Sequence, residues 1–157
     1  AEETVEIAVS DTKIRFGFGA GRLTSKLIDG SFPDYERVIP KNNQSVMRAD
    51  TKDFAQAVDR VATISADRTR SIKMAIDADK LRLTVNNPEA GSALEELSVD
   101  YSGDPIEIGF NARYLLDIAG QIDGETVSFR LSDPSSPSIA LDEEDPRALY
   151  VLMPLRV

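Results

Sequence analysis

Residues 142–145 of this 157-residue chain read Asp-Glu-Glu-Asp, a run whose oxygens have the right chemistry to hold a hard cation such as calcium or magnesium. It lies between two strand-like stretches and just before Pro146, which is the setting of a solvated turn. Gly-Phe-Gly-Ala-Gly at 17–21 has the composition of a phosphate cradle. A cradle opens onto a helix, however, and the Arg-Leu-Thr-Ser-Lys-Leu-Ile that follows has strand character. Glu95 and Glu96 form a third candidate, a carboxylate pair for acid–base work on a glycoside or phosphate. Neighbours on a strand point to opposite faces, which works against their cooperation. The sequence holds no His and no Cys. That removes the Ser-His-Asp triad, the thiolate nucleophile and the conventional zinc site. These residues call for no metal and no cofactor, and no catalytic residue is assigned.

Composition sets the remaining bounds. At 41% hydrophobic and 29% charged residues, the chain can build a real core and is neither disordered nor membrane-spanning. With no signal-like leader and no Cys, the expected address is cytoplasmic. A formal net charge of −9 argues against a surface coated in phosphate-binding cations, though it leaves room for a local basic patch.

Three similar strand-turn-strand segments must position whatever site exists: VEIAVSDTKIRFGF from Val5, SIKMAIDADKLRLTV from Ser71 and TVSFRLSDPSSPSIAL from Thr126. A further strand follows each, at 22–28, 93–99 and 148–153. The second and third segments are also preceded by a short strand and an amphipathic helix. In the first helix Phe54, Ala57, Val58, Val61 and Ser65 share a face, with Asp50 or Thr51 as cap. In the second, Leu115, Ile118, Ala119 and Ile122 share a face, with Asn111 as cap. The expected fold is therefore α+β. Two β-α-β-β-β repeats span 45–157, and a three-strand remnant of a preceding domain occupies 1–28. The proline-containing, aperiodic stretch 29–44 reads as a connector. Because the first unit lacks its helix, the chain reads as the C-terminal piece of something longer.

LIDGSFPDYERVIP, NNPE at 86–89, YSG at 101–103, IGFNARYLLD and the terminal YVLMPLRV together closely resemble the bacterial DNA polymerase III sliding clamp family, the beta subunit. The resemblance runs in order along essentially the whole chain and implies a DNA-clamp-type fold. Family subunits have three domains, and two subunits close head to tail into a ring around duplex DNA. The first domain and most of the second are missing from the match. The implied function is that of a non-catalytic processivity factor. It encircles DNA without regard to sequence and captures short peptides of the replicative polymerase, clamp loader and repair polymerases, with no membrane involved.

By the same resemblance the peptide groove would use Pro33, Arg37, Val38, Thr69, Asn111, Tyr114, Ser135, Pro137, Val151, Leu152, Met153, Pro154, Leu155 and Arg156. Helix faces turned from the core would face DNA, with Lys52, Gln56, Arg60 and Thr63 on the first helix and Arg113, Asp117 and Gln121 on the second. Their mixed signs fit a loose sleeve. The subunit interface would use Thr63 and Ile64, surrounded by Glu89, Glu95 and Glu96. It joins unlike surfaces, so the full-length protein would be a homodimer and this chain alone a monomer. On residue patterns alone, a carboxylate-dependent β-rich enzyme and a generic interaction domain stay open.

Overall fold

The structure is a computed structural model and describes residues 4–65, 70–145 and 147–157. The chain divides into two compact units, Ala1–Asp34 and Tyr35–Val157. In the first, β1 (Glu6–Val9), β2 (Lys13–Phe18) and β3 (Gly21–Lys26) form an antiparallel meander. The glycine-rich run is its second hairpin turn, where Gly19 takes a φ of 53° that suits a residue without Cβ. Ile7, Phe16 and Leu23 stand opposite one another across the three strands, and Ile7 and Leu23 stay exposed.

The second unit opens with a single 3-10 turn, Tyr35–Arg37, and continues as β4 (Ser45–Asp50), α1 (Thr51–Ala62), β5 (Ser71–Asp77), β6 (Lys80–Asn87) and β7 (Gly91–Ser98). A three-residue strand, β8 (Asp100–Ser102), intervenes. The pattern then repeats as β9 (Ile106–Asn111), α2 (Ala112–Ala119), β10 (Thr126–Leu131), β11 (Ser138–Asp142) and β12 (Leu149–Leu152). The β-α-β-β-β repeat is thus present twice. β8 is the addition: the chain passes Val99 and pairs with β4 after leaving the β7 ladder.

Two antiparallel sheets result, ordered β12-β11-β10-β4-β8 and β7-β6-β5-β9. Strand alternation sends Met47, Phe129 and Ala140 from the first sheet, and Met74, Leu83 and Ile108 from the second, into one core. The two helices pack against each other, α1 also lying on β4 to β7, and they contribute Phe54, Val58, Val61 and Leu115. The ring of Phe54 meets that of Phe129 at a centroid distance of 5.2 Å. Of the two caps expected for α1, Asp50 serves, accepting from the Asp53 N–H at 2.9 Å. Asn111 caps α2 through the Arg113 N–H, also at 2.9 Å.

The acidic run is a turn, as expected, but its first residue is not solvated. Asp142 is buried and accepts the N–H groups of Gly124 and Glu144 at 2.9 Å each. Those bonds hold its carboxyl below the usual range, the Gly124 bond most strongly. Glu143 binds Arg48 and Asp145 binds Arg147, so three carboxylates of the run, with Asp142, are directed at protein partners. Among the described residues no cluster of acidic side chains is arranged to hold a metal.

Candidate binding groove

At the open edge of the five-stranded sheet, β12 runs beside α2. Between them lies a groove of about 500 Å³ lined by Tyr114, Asp117, Ile118 and the run from Leu149 to Met153. Strand alternation explains its apolar character. Tyr150 and Leu152 stand opposite Ala140 and Ser138 on the core side, while Leu149 and Val151 fall on the other side and Met153 follows the strand's end. Leu152 is only 3% exposed and belongs to the core, whereas Leu149 is 46%, Met153 60% and Tyr114 58% exposed. Tyr114 is projected by the first turn of α2, which the Asn111 cap fixes. Because β12 ends its sheet, its second edge of backbone groups is not used by the ladder.

The structure brings Tyr114, Val151, Leu152 and Met153 together around this groove. Asn111 and Leu155 lie close by, since Leu155 bridges to Gly109, two residues before Asn111. Pro154 and Leu155 are partly buried and Arg156 is exposed. Arg37 and Val38 lie at the end of the 3-10 turn, exposed and outside the lining, and Pro33 belongs to the first unit. Ser135 and Pro137 sit in the β10–β11 loop: Ser135 donates to Asp133, and the Pro137 carbonyl accepts from Asn43 at 2.9 Å. Thr69 lies outside the described residues. Asp117, Ile118 and Leu149 are lining residues that the sequence reading left out of the groove, with Asp117 counted on the DNA-facing flank instead. Their signal was available, because Asp117 and Ile118 lie three and four positions after Tyr114 and so share its side of a helix.

The outward helix faces carry Lys52, Gln56, Arg60 and Arg113, while Thr63 and Gln121 fall beyond the helix ends; all six are exposed. Arg60 is engaged within the chain: its guanidinium donates to both Glu95 oxygens, at 2.7 and 3.2 Å. Arg113 approaches Asp117 at 3.8 Å. Thr63 follows the C-terminus of α1, its hydroxyl donating to the Asp59 carbonyl at 3.1 Å. Ile64 is half-buried against the core, and its carbonyl accepts from Asn87 at 2.7 Å. Asn87 also accepts from the N–H of Glu89, so the NNPE motif ties the β6–β7 turn to the end of α1. Glu89 itself is exposed in that turn.

Glu95 and Glu96 point to opposite sides of β7. Glu95 meets Arg60 of α1, while Glu96 meets Arg82 at 2.7 Å and Lys80 at 3.3 Å on the outer face. The hydrogen bond from Arg60 holds Glu95 below the usual carboxylate range, and bonds from Arg82 and then Lys80 do the same for Glu96. A general acid needs a raised pKa and a partner across a shared space. This pair has neither.

A family model of the DNA polymerase III beta subunit, C-terminal domain, matches residues 36–156. The chain belongs to the DNA polymerase III beta subunit family. The beta sliding clamp of Caulobacter vibrioides is 59% identical over 157 residues, which is 100% of this chain and 42% of that protein. That of Escherichia coli is 37% identical over 156 residues, 99% of this chain and 43% of the relative. Among solved structures, a Caulobacter crescentus beta sliding clamp with bound polyethylene glycol superposes at a TM-score of 0.93 and 58% identity, covering 100% of this chain and 42% of that one. A Bartonella birtlesii clamp bound to griselimycin gives 0.93 at 52% identity, covering 98% and 41%. The chain spans about 42% of the length of the curated beta clamps it matches, and the α+β clamp fold is shared with them.

Proposed function

We propose that this chain supplies the partner-binding part of a sliding clamp, a non-catalytic processivity factor that encircles duplex DNA and tethers polymerases, clamp loader and repair proteins to it. The observation that carries the reading is the groove between α2 and the edge strand β12, where Tyr114, Leu149 and Met153 stay exposed beside a fully packed core. A monomeric protein gains nothing by holding such a strip open, whereas a short apolar peptide would bury it. Likeness to named sliding clamps, one of them solved with griselimycin bound, supports the same reading. In this reading Arg37, Val38, Asn111, Ser135, Pro137, Pro154, Leu155 and Arg156 extend the groove beyond its lining.

The weak charge of the outward helix faces fits a sleeve that slides. Lys52, Gln56, Arg60 and Arg113 would face DNA, with Arg60 already neutralised by Glu95 and Arg113 facing Asp117. A closed ring is held by topology and needs few phosphate contacts. Subunits would pair along the open edge of β7 through Thr63 and Ile64, with Glu89, Glu95 and Glu96 around them. This region joins an unlike partner surface, so residues 45–157, as a separate domain after the connector 29–44, have no reason to self-associate. No described helix is long and apolar enough to cross a membrane, and the processivity role places the protein with the chromosome in the cytoplasm.

Calorimetric titration with a short peptide carrying Gln and a Leu-Phe end tests the groove. The parent protein should bind it. Deleting residues 153–157 should abolish that binding while the near-ultraviolet circular dichroism of the core is retained. Unchanged affinity after the deletion would refute the groove.

A further inference from the structure

Gly109 lies in the edge strand β9, between Ile108 and Phe110, whose side chains are wholly buried on the inner face. On the outer side of the same strand Glu107 and Asn111 carry side chains, but Gly109 presents bare backbone. The C-terminal residues occupy that gap. The Leu155 N–H donates to the Gly109 carbonyl at 2.8 Å in an antiparallel bridge. Val157 then covers the glycine: a Cβ at position 109 would collide with Val157 Cγ1, and would meet the Leu155 carbonyl oxygen at 2.6 Å and Val157 Cγ2 at 2.9 Å. Glycine is needed here for space, because the backbone itself is ordinary extended strand.

The tail therefore crosses from the edge of one sheet to the edge of the other. Met153 is held between two fixed points, Leu152 in its ladder with Ser138 and Leu155 on Gly109. Two residues beyond Gly109 on the same strand, Asn111 caps the helix that projects Tyr114. One short stretch of strand edge thus locates both walls of the groove.

We infer that Gly109 is a positioning residue for peptide capture: by admitting Leu155 and Val157 against bare backbone, it pre-sets Met153 opposite Tyr114. The inference rests on the groove reading above. Binding then costs little ordering of the tail, which is where preorganisation gives affinity.

The test uses the full-length subunit and the same Gln and Leu-Phe peptide, titrated into the parent, Gly109→Ala and Val157→Gly. Gly109→Ala should weaken binding by at least about ten-fold, because the added methyl lifts the tail. Val157→Gly adds no bulk and changes a residue that is 62% exposed and outside the groove lining. It should weaken binding by a few-fold while leaving the melting temperature unchanged, a split that a purely structural role would not produce. It also decides the matter if Gly109→Ala fails to fold. In either variant the Leu155 amide should exchange faster than in the parent, with β5 amides unaltered. Two variants that bind like a binding parent would overturn the inference and leave the groove standing. A parent that binds no peptide would overturn both.

Discussion

Asp142 shows how a residue in a charged run can be structural. Its carboxylate joins the loop before β10 to the turn after β11, through N–H groups of Gly124 and Glu144 that would otherwise be left without partners in a half-buried place. The folded protein holds its pKa below the unfolded value, which is about 3.9. The stability it contributes is therefore complete above that value and is lost as pH falls through the lower, folded one. Asp142→Asn should lower urea stability at neutral pH and flatten the decline of stability in acid. An acid limb identical to that of the parent would contradict this role. Tyr114 is the opposite case, an exposed aromatic whose surroundings explain its position but not its exposure. In the proposed function, a bound peptide would supply that reason.

At the level of elements, α1 meets the five-stranded sheet through an aromatic pair. Phe54 and Phe129 are fully buried and in ring contact. Phe54→Ala should cost about 3–5 kcal/mol, measured as a shift of the urea midpoint at unchanged slope. A loss below about 1 kcal/mol would mean that the helix can collapse onto the sheet and refill the space. The helices were legible because Phe54, Val58 and Val61, or Leu115 and Ile118, recur at helical spacing, and because Asp50 and Asn111 stand where caps belong; Ser65 and Ile122 continue that spacing in sequence but lie beyond the helix ends at Ala62 and Ala119. The long strands were legible from alternation. β8 was not, since three residues continuing from β7 past Val99 show no alternation of their own. The 3-10 turn at Tyr35–Arg37 was hidden by the prolines around it, which mark irregular chain but not its form. The groove was legible in its tail and in Tyr114. That Asp117 lines the groove is not legible, because helical periodicity separates core from surface but says nothing of which strand edge lies beside the surface. Gly109 and Val157 were invisible for a similar reason: their meeting depends on a chain crossing between two sheets.

For the whole molecule, the charge of −9 and the paired arginines bear directly on the proposed clamp role. Exposed ion pairs of this sort contribute little stability, because water screens them. Their consequence is electrostatic, since Arg60 bound to Glu95 offers a phosphate little net attraction. In the proposed clamp, affinity for DNA would then come from enclosure, and acidic surface of this kind would keep the ring from adhering elsewhere. Such a ring would be open to partners on its edge groove while its bore stayed indifferent to sequence. The most direct measurement is retention of the full-length subunit, loaded by its clamp loader, on nicked circular DNA and on the same DNA after linearisation, in salt high enough to screen phosphate contacts. The account predicts that protein stays with the circle and is lost from the linear molecule. Equal retention on both, or release from the circle by salt alone, would contradict it.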